Sequence, residues 1–207
     1  MKRLRKKHPL AIRWFHWINF PLLAMMIFSG LLIYWAYPAY FTLDQQTWRA
    51  LHVNNRLAEG MALHFLFMWL FGINGVLYVA YTILSGEWRE LVPNRHTLRD
   101  AWQVVLHDLR LRKEPLPDVK FNGAQKLAYT GIIVMGAFSL LTGLAIYKPV
   151  QFAWLNFLFG GYQGARFLHF WLTVGYVAFF LVHVAQVIRA GWNNFRAMVI
   201  GVEAVNE

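Results

Sequence analysis

Four long stretches of this chain carry no charged side chain, and their length restricts the possible folds more than any other feature. They cover residues 14–43, 60–86, 127–147 and 167–188. Each exceeds the roughly 20 residues that a helix needs to cross the hydrocarbon core of a bilayer. Because backbone groups in lipid must bond to one another, such stretches are expected to be helical. The sequence predicts an all-α membrane protein, a bundle of four transmembrane helices.

The ends of the predicted spans differ from the ends of these uncharged stretches, in part because aromatic residues mark the membrane interfaces. The predicted spans cover about 14–37, 61–85, 124–147 and 166–190. All of residues 1–207 then form one transmembrane domain, with a cytoplasmic loop over 86–122. Residues 149–165 are also uncharged, but three glycines interrupt them. A fifth span there would reverse the last helix, so we predict an interfacial segment, with a short re-entrant segment as the alternative.

The net charge of +10 is unevenly distributed. Lys and Arg concentrate in residues 2–13 and 89–120. The other two connections hold only Arg49, Arg56, Lys148 and Arg166. Cytoplasmic segments carry the excess of Lys and Arg, so both termini and the central loop are predicted to be cytoplasmic. The basic charge is thereby explained by membrane topology, and no nucleic-acid partner is expected.

Four histidines, His16, His64, His169 and His183, lie inside or at the rim of the predicted spans. An ionisable side chain in lipid is costly and usually marks a function. His169 and His183 share the last span, 14 residues apart. A helix rises 1.5 Å and turns ~100° per residue, so this spacing gives ~21 Å of rise and a net turn of ~40°. One helix is expected to present two imidazoles on nearly one face, one near each membrane surface.

The direction of each span pairs the four histidines by depth. His16 and His183 fall near the cytoplasmic surface, and His64 and His169 near the outer surface. A lone histidine in a span is more often a packing or pore-lining residue than a ligand. Two depth-matched pairs favour ligation instead, and they predict two bis-histidine metal sites stacked across the membrane.

The chain has no cysteine. Covalently attached haem, iron–sulfur ligation by this chain and disulfides are therefore excluded. The predicted cofactors are two b-type haems (iron protoporphyrin IX) enclosed by the bundle and held by axial histidines and packing. His52, in an outer connection, is a weaker alternative outer ligand.

Glycines and arginines near the histidines suit such a cofactor. Gly72, Gly75 and Gly175 allow a close approach of backbone to haem, although for the glycines alone ordinary close helix packing is the better explanation. The anionic propionates are predicted to pair with interfacial arginines. The candidates are Arg13 and Arg166, followed by Arg56 and Arg189.

The chain resembles the bacterial membrane cytochromes b that serve nickel–iron hydrogenases, formate dehydrogenases and related molybdenum enzymes. The matching pieces cover nearly the whole chain, at residues 13–17, 63–65, 121–126, 165–170, 181–183 and 192–196. The 14-residue histidine spacing is the most specific of them. The last piece and the turn at 85–88 are most similar to the thiosulfate-reductase-like branch, which accompanies periplasmic molybdopterin oxidoreductases.

This resemblance implies a quinone site beside the cytoplasmic haem. Carried onto matching positions, it nominates Asn122, Gln125 and His183, with Lys126 close by. For Asn122 a second interpretation stays open, because Asn is also a preferred helix N-cap.

The resemblance further implies a multi-pass electron-transfer subunit in the bacterial cytoplasmic (inner) membrane, surrounded by lipid. It would carry electrons between quinone and a periplasmic partner, either a molybdopterin-type oxidoreductase or a hydrogenase-like subunit. A stand-alone cytochrome b561-type quinone oxidoreductase, acting on a small periplasmic redox substrate, is the alternative. A haem-free membrane anchor or channel is the third hypothesis.

The visible spectrum of the purified protein distinguishes the haem hypotheses from the haem-free one. Two low-spin b haems give a sharp α band on reduction with dithionite, and we expect that band. A colourless preparation from haem-replete cells would contradict both haem hypotheses.

Overall fold

The computed structural model describes residues 2–42, 44–51, 56–112, 114, 119 and 121–206. Its elements are, in order, β1 (Lys2–Lys6), α1 (Leu10–Ala36), α2 (Gln45–Ala50), α3 (Leu57–Leu84), α4 (Trp88–Leu91), α5 (Thr97–Asp108), α6 (Gly123–Tyr147), α7 (Ala153–Leu158), α8 (Gly161–Ile200) and β2 (Val202–Asn206). Four of these helices, α1, α3, α6 and α8, are long and apolar enough to cross a membrane. The predicted all-α architecture with four spans is confirmed. The alternative ligand His52 lies outside the described residues.

The chain forms two compact units. One, the terminal unit, comprises Met1–Tyr78 with His183–Glu207. The other, the central unit, comprises Val79–Val182.

Local sequence explains where α1 begins and ends. Pro9 occupies its N-cap position, and Tyr37, the C-cap, stands directly before Pro38. Proline restricts the residue before it to extended conformations, so helices commonly end there. Within the terminal unit, α3 presents Leu66, Trp69 and Ile73, each more than half exposed. At ~100° per residue these positions share one face, roughly opposite His64, as expected for a lipid-facing stripe.

A two-stranded sheet joins the chain ends in the terminal unit. Strands β1 and β2 pair antiparallel, with Leu4 opposite Ala204. Glu203, only 7% exposed, accepts hydrogen bonds from Arg5 Nη2 at 2.7 Å and Lys7 Nζ at 2.6 Å. A buried carboxylate requires such partners. We call this arrangement the terminal clasp.

Side chains of α1 satisfy the carbonyl groups at the end of α8. Arg13 Nη1 donates to Val199 O at 2.6 Å, and Trp17 Nε1 donates to Met198 O at 3.1 Å. Gly201 then adopts φ +87°, a left-handed conformation in which glycine carries no steric penalty. The last carbonyls of a helix have no partner within it, so these contacts complete the C-terminus of α8.

In the central unit the amphipathic helix α5 packs against the start of α6. A Cβ atom at Gly123 would lie only 2.5 Å from Ala101 N, so this contact needs a glycine. The predicted interfacial segment 149–165 contains α7, whose six residues are too few to cross a bilayer. Leu155 of α7 is buried with Ala145 and Ala165.

The terminal clasp should weaken in acid. Partial burial by itself raises the pKa of Glu203, but hydrogen bonds from Lys7 and Arg5 hold that pKa below its ordinary value. Because the folded pKa is the lower one, the stabilisation is present above the ordinary value of about 4.3 and is lost as pH falls through the folded pKa. Glu203→Gln should cost on the order of 1–2 kcal/mol locally and remove this pH dependence.

Hydrogen exchange of the β1 and β2 amides, measured against pH in detergent or nanodiscs, checks this expectation. The amides of α6 serve as the internal control. Equal exchange in Glu203→Gln and the parent protein at neutral pH would contradict it.

Candidate functional site

The terminal unit brings two of the four predicted histidines close together. The ring centroids of His16 on α1 and His183 on α8 lie 6.1 Å apart, with their planes at 54°. Both side chains are half-buried. His16 Nδ1 is buried and has no hydrogen-bond partner among the described residues. We call these two residues the inner pair.

The inner pair fits the axial ligand set of a haem. Two imidazoles bound to opposite sides of one metal ion through bonds of about 2 Å have ring centres about 6 Å apart. The donor chemistry agrees, since haem iron is commonly held by histidine. A buried ring nitrogen without a protein partner is costly, and a bond from that nitrogen to a metal ion would offset the cost.

Polar residues of α1 and α3 lie near the inner pair in sequence. Asn74, only 8% exposed, approaches Phe15 O and Asn19 Oδ1, both at 3.4 Å from its Nδ2. Asn19 follows His16 by one helical turn. These amides join α1 to α3 close to the depth of His16, and the sequence analysis did not identify them.

His64 is held by a hydroxyl group of α1. Its Nδ1 lies 2.9 Å from Ser29 Oγ, and Ser29 is fully buried. The adjacent Gly30 faces the same edge of the ring, since a Cβ atom there would lie 3.6 Å from His64 Cε1. Ser29, Gly30 and His64 all belong to the terminal unit.

His169 has an equivalent environment in the central unit. Its Nδ1 lies 2.9 Å from Thr142 Oγ1 of α6, and Thr142 is fully buried. A Cβ atom at the adjacent Gly143 would lie 3.4 Å from His169 Cε1. Two histidines on different helices therefore meet the same two-residue sequence, a hydroxyl residue followed by glycine.

Two of the glycines nominated from sequence have surroundings other than a histidine. Gly75 has open space where a Cβ atom would stand, and Gly175 packs against Met135 Cε, 2.8 Å from such an atom. Gly30 and Gly143 lie beside histidines. A Ser-Gly and a Thr-Gly pair in mid-span were the available signal, but glycine pairs of this kind also occur at ordinary helix contacts.

Arg13 and Arg166, the candidate propionate partners, each precede a predicted ligand by three residues, His16 and His169 respectively. That spacing puts both members of a pair on one helix face. Arg13 Nη1 donates a hydrogen bond to Val199 O. Its Nε is buried and has no hydrogen-bond partner in the described part of the chain.

The other arginine candidates differ from Arg13. Arg166 Nη1 lies 3.5 Å from Gln163 Oε1, and the guanidinium stands over the Tyr162 ring. Arg56, by contrast, already pairs with the Glu59 carboxylate, through Nε at 2.8 Å.

The nominated quinone residues form the start of α6. Asn122 Oδ1 accepts from Gln125 N at 2.9 Å, and Gln125 Oε1 accepts from Asn122 N at 3.0 Å. This reciprocal pair is a capping box, so Asn122 is an N-cap residue. The capping box uses the side-chain amide oxygens of Asn122 and Gln125. It does not use their NH₂ groups. Lys126 follows on the first turn.

Four long apolar helices, together with two imidazoles at the spacing of haem ligands, are typical of a membrane-spanning cytochrome b. Comparison with known proteins supports this class. The family described as prokaryotic cytochrome b561 matches residues 7–201, and the chain belongs to that family. It is a multi-pass protein of the bacterial inner membrane and an electron-transfer cytochrome, and the family binds b-type haem.

Two relatives carry informative names. A putative protein-methionine-sulfoxide reductase subunit, YedZ1, from Azospira oryzae is 32% identical over 188 residues, covering 90% of this chain and 92% of the relative. A probable Ni/Fe-hydrogenase B-type cytochrome subunit from Bradyrhizobium diazoefficiens is 31% identical over 105 residues, 44% of this chain and 42% of the relative. The resemblance to bacterial membrane cytochromes b is confirmed.

Loss of one axial imidazole should cost one haem. We expect His183→Ala and His169→Ala each to lose one haem per chain and to keep the other, because each residue is predicted to serve a different site. The measurement is the haem-to-protein ratio after extraction into alkaline pyridine. His107→Ala, a change on the amphipathic helix α5, is the matched control and should keep the full content. Retention of the parent ratio in His169→Ala would show that the outer ligands are misassigned.

Proposed function

We propose that the chain is a di-haem b electron-transfer subunit linking a periplasmic oxidoreductase to the membrane quinone pool. The observation that carries this proposal is the inner pair, two imidazoles 6.1 Å apart on α1 and α8. When bound, the haems supply one-electron transfer, for which quinone is the two-electron, two-proton partner in the membrane.

The protein's own contribution is ligation and electrostatics. His16 and His183 hold the inner site, and the depth argument assigns His64 and His169 to the outer one. Arg13 brings a partly unpartnered guanidinium to the side of His16. A cation there stabilises an anionic propionate, since charge-assisted hydrogen bonds are roughly twice as strong as neutral ones.

Charge distribution supports the proposed orientation. The strand β1 and the segment around α5 carry the basic residues, and the positive-inside rule places such segments in the cytoplasm. The inner pair then lies toward the cytoplasm, and the proposed quinone residues at the start of α6 follow the same basic loop. The outer site is left for a periplasmic partner.

The names of the relatives support a partner of the oxidoreductase type. One is named as a reductase subunit and the other as a hydrogenase cytochrome subunit. We propose that this chain likewise works with a separate oxidoreductase, of the molybdopterin type, rather than as a stand-alone quinone oxidoreductase. A reductase partner would draw electrons from quinol, and a dehydrogenase partner would deliver them to quinone.

Reduction of the haems by a soluble quinol tests the quinone link. Asn122→Ser keeps a good N-cap but removes the amide NH₂. Loss of one neutral hydrogen bond should raise the duroquinol concentration for half-maximal reduction rate by about threefold to tenfold. The rate is followed at the α band in proteoliposomes by stopped flow.

Gln125→Glu is a second test of the quinone site. The carboxylate still accepts from Asn122 N, while the NH₂ donor is lost. His96→Ala, in the same basic loop, is the control and should leave the rate unchanged. Equal half-maximal concentrations in all variants would remove Asn122 and Gln125 from the quinone site. Haems that no quinol reduces would overturn the quinone link itself.

A further inference from the structure

We propose that Ser29 and Thr142 are positioning residues that fix the tautomer of the two outer histidines, so that Nε2 of His64 and of His169 carries the lone pair for iron. This inference rests on the proposed function, which makes His64 and His169 haem ligands. It concerns hydroxyl groups that neither the sequence motifs nor the family assignment singles out.

Each of these hydroxyl groups has a single proton to donate. Ser29 Oγ lies 2.6 Å from Met25 O, a carbonyl that can only accept, so the hydroxyl proton points to Met25. The oxygen of Ser29 is then left as an acceptor for His64 Nδ1 at 2.9 Å. A nitrogen that donates must carry the proton, and in neutral imidazole the other nitrogen carries the lone pair.

Thr142 repeats the geometry in the central unit. Its Oγ1 donates the hydroxyl proton to Phe138 O at 2.7 Å. The same oxygen lies 2.9 Å from His169 Nδ1. In both cases the hydroxyl bonds back to the carbonyl four residues earlier on its own helix. A buried side chain that bonds back in this way has little rotational freedom, so it holds the imidazole in one orientation.

Outer-shell hydrogen bonds of this kind tune a metal ligand. Histidine ligands almost always donate their second N–H to a neighbour, which fixes the tautomer and makes the ligand more basic. A more basic ligand stabilises ferric iron over ferrous iron. Removing the acceptor hydroxyl should therefore raise the reduction potential of the haem concerned. The inner pair provides a contrast, because His16 Nδ1 has no such acceptor among the described residues.

The test is a redox titration of the full-length haem-loaded protein in nanodiscs, followed at the α band and by the low-spin ferric signals in electron paramagnetic resonance. Ser29→Ala and Thr142→Val should each raise the ratio of reduced to oxidised haem about tenfold at fixed potential, in the same haem. For a one-electron couple a tenfold change equals about 59 mV.

Conservative and matched variants separate the hydroxyl role from a packing role. Ser29→Thr and Thr142→Ser keep the acceptor and should keep the parent potential. Ser85→Ala and Thr130→Val remove hydroxyls that bond to the carbonyls of Thr82 and Leu91, and they should not move either haem.

The outcomes are distinct. Unchanged potentials in Ser29→Ala and Thr142→Val, with both haems retained, overturn the positioning role. Loss of one haem in these two variants, restored in the conservative pair, supports it. Shifts in two different haems support the positioning role and overturn the pairing of His64 with His169. A parent protein without haem defeats the proposed function itself.

Discussion

The cost of a polar group in lipid is the constraint on which the rest of this protein depends. Every imidazole in the spans needs either a hydrogen-bond partner or a metal. His64 and His169 each have a buried hydroxyl at 2.9 Å. The inner pair has instead two rings at the spacing of axial ligands, with His16 Nδ1 unpartnered among the described residues. The same requirement thus accounts for the hydroxyl groups of Ser29 and Thr142 on the neighbouring helices.

The terminal clasp extends this arrangement beyond the spans. Its sheet pairs the strand before α1 with the strand after α8, and these two helices carry the inner pair. Arg13 and Trp17 of α1, which flank His16, donate hydrogen bonds to the last carbonyl groups of α8. The backbone of α8 leaves helical geometry at Gly191, between His183 and these contacts, so they hold the part of α8 after Gly191 beside α1. A preformed site loses less conformational entropy when its cofactor binds.

The architecture was readable from sequence because hydrophobic length and charge are local properties. The four spans and the interfacial segment follow from runs of residue types, and the inner pair follows from span direction. The hydroxyl–glycine pairs at Ser29 and Thr142 were not found, because they depend on which faces of two helices meet. For Asn122 the residue type allowed both an N-cap role and a quinone-binding role. The capping box confirms the N-cap role. The terminal clasp was missed as well, since strand pairing of the chain ends leaves no periodic pattern in five residues.

The donor set also limits what chemistry the proposed sites perform. Haem iron held by two histidines would have no open coordination position for a substrate. Such a centre would exchange electrons and would not activate a bound molecule. A bond-breaking step would then take place elsewhere, at the quinone or in a partner with its own cofactor. A centre of this kind suits a subunit better than a self-contained enzyme, in agreement with relatives that are named as subunits.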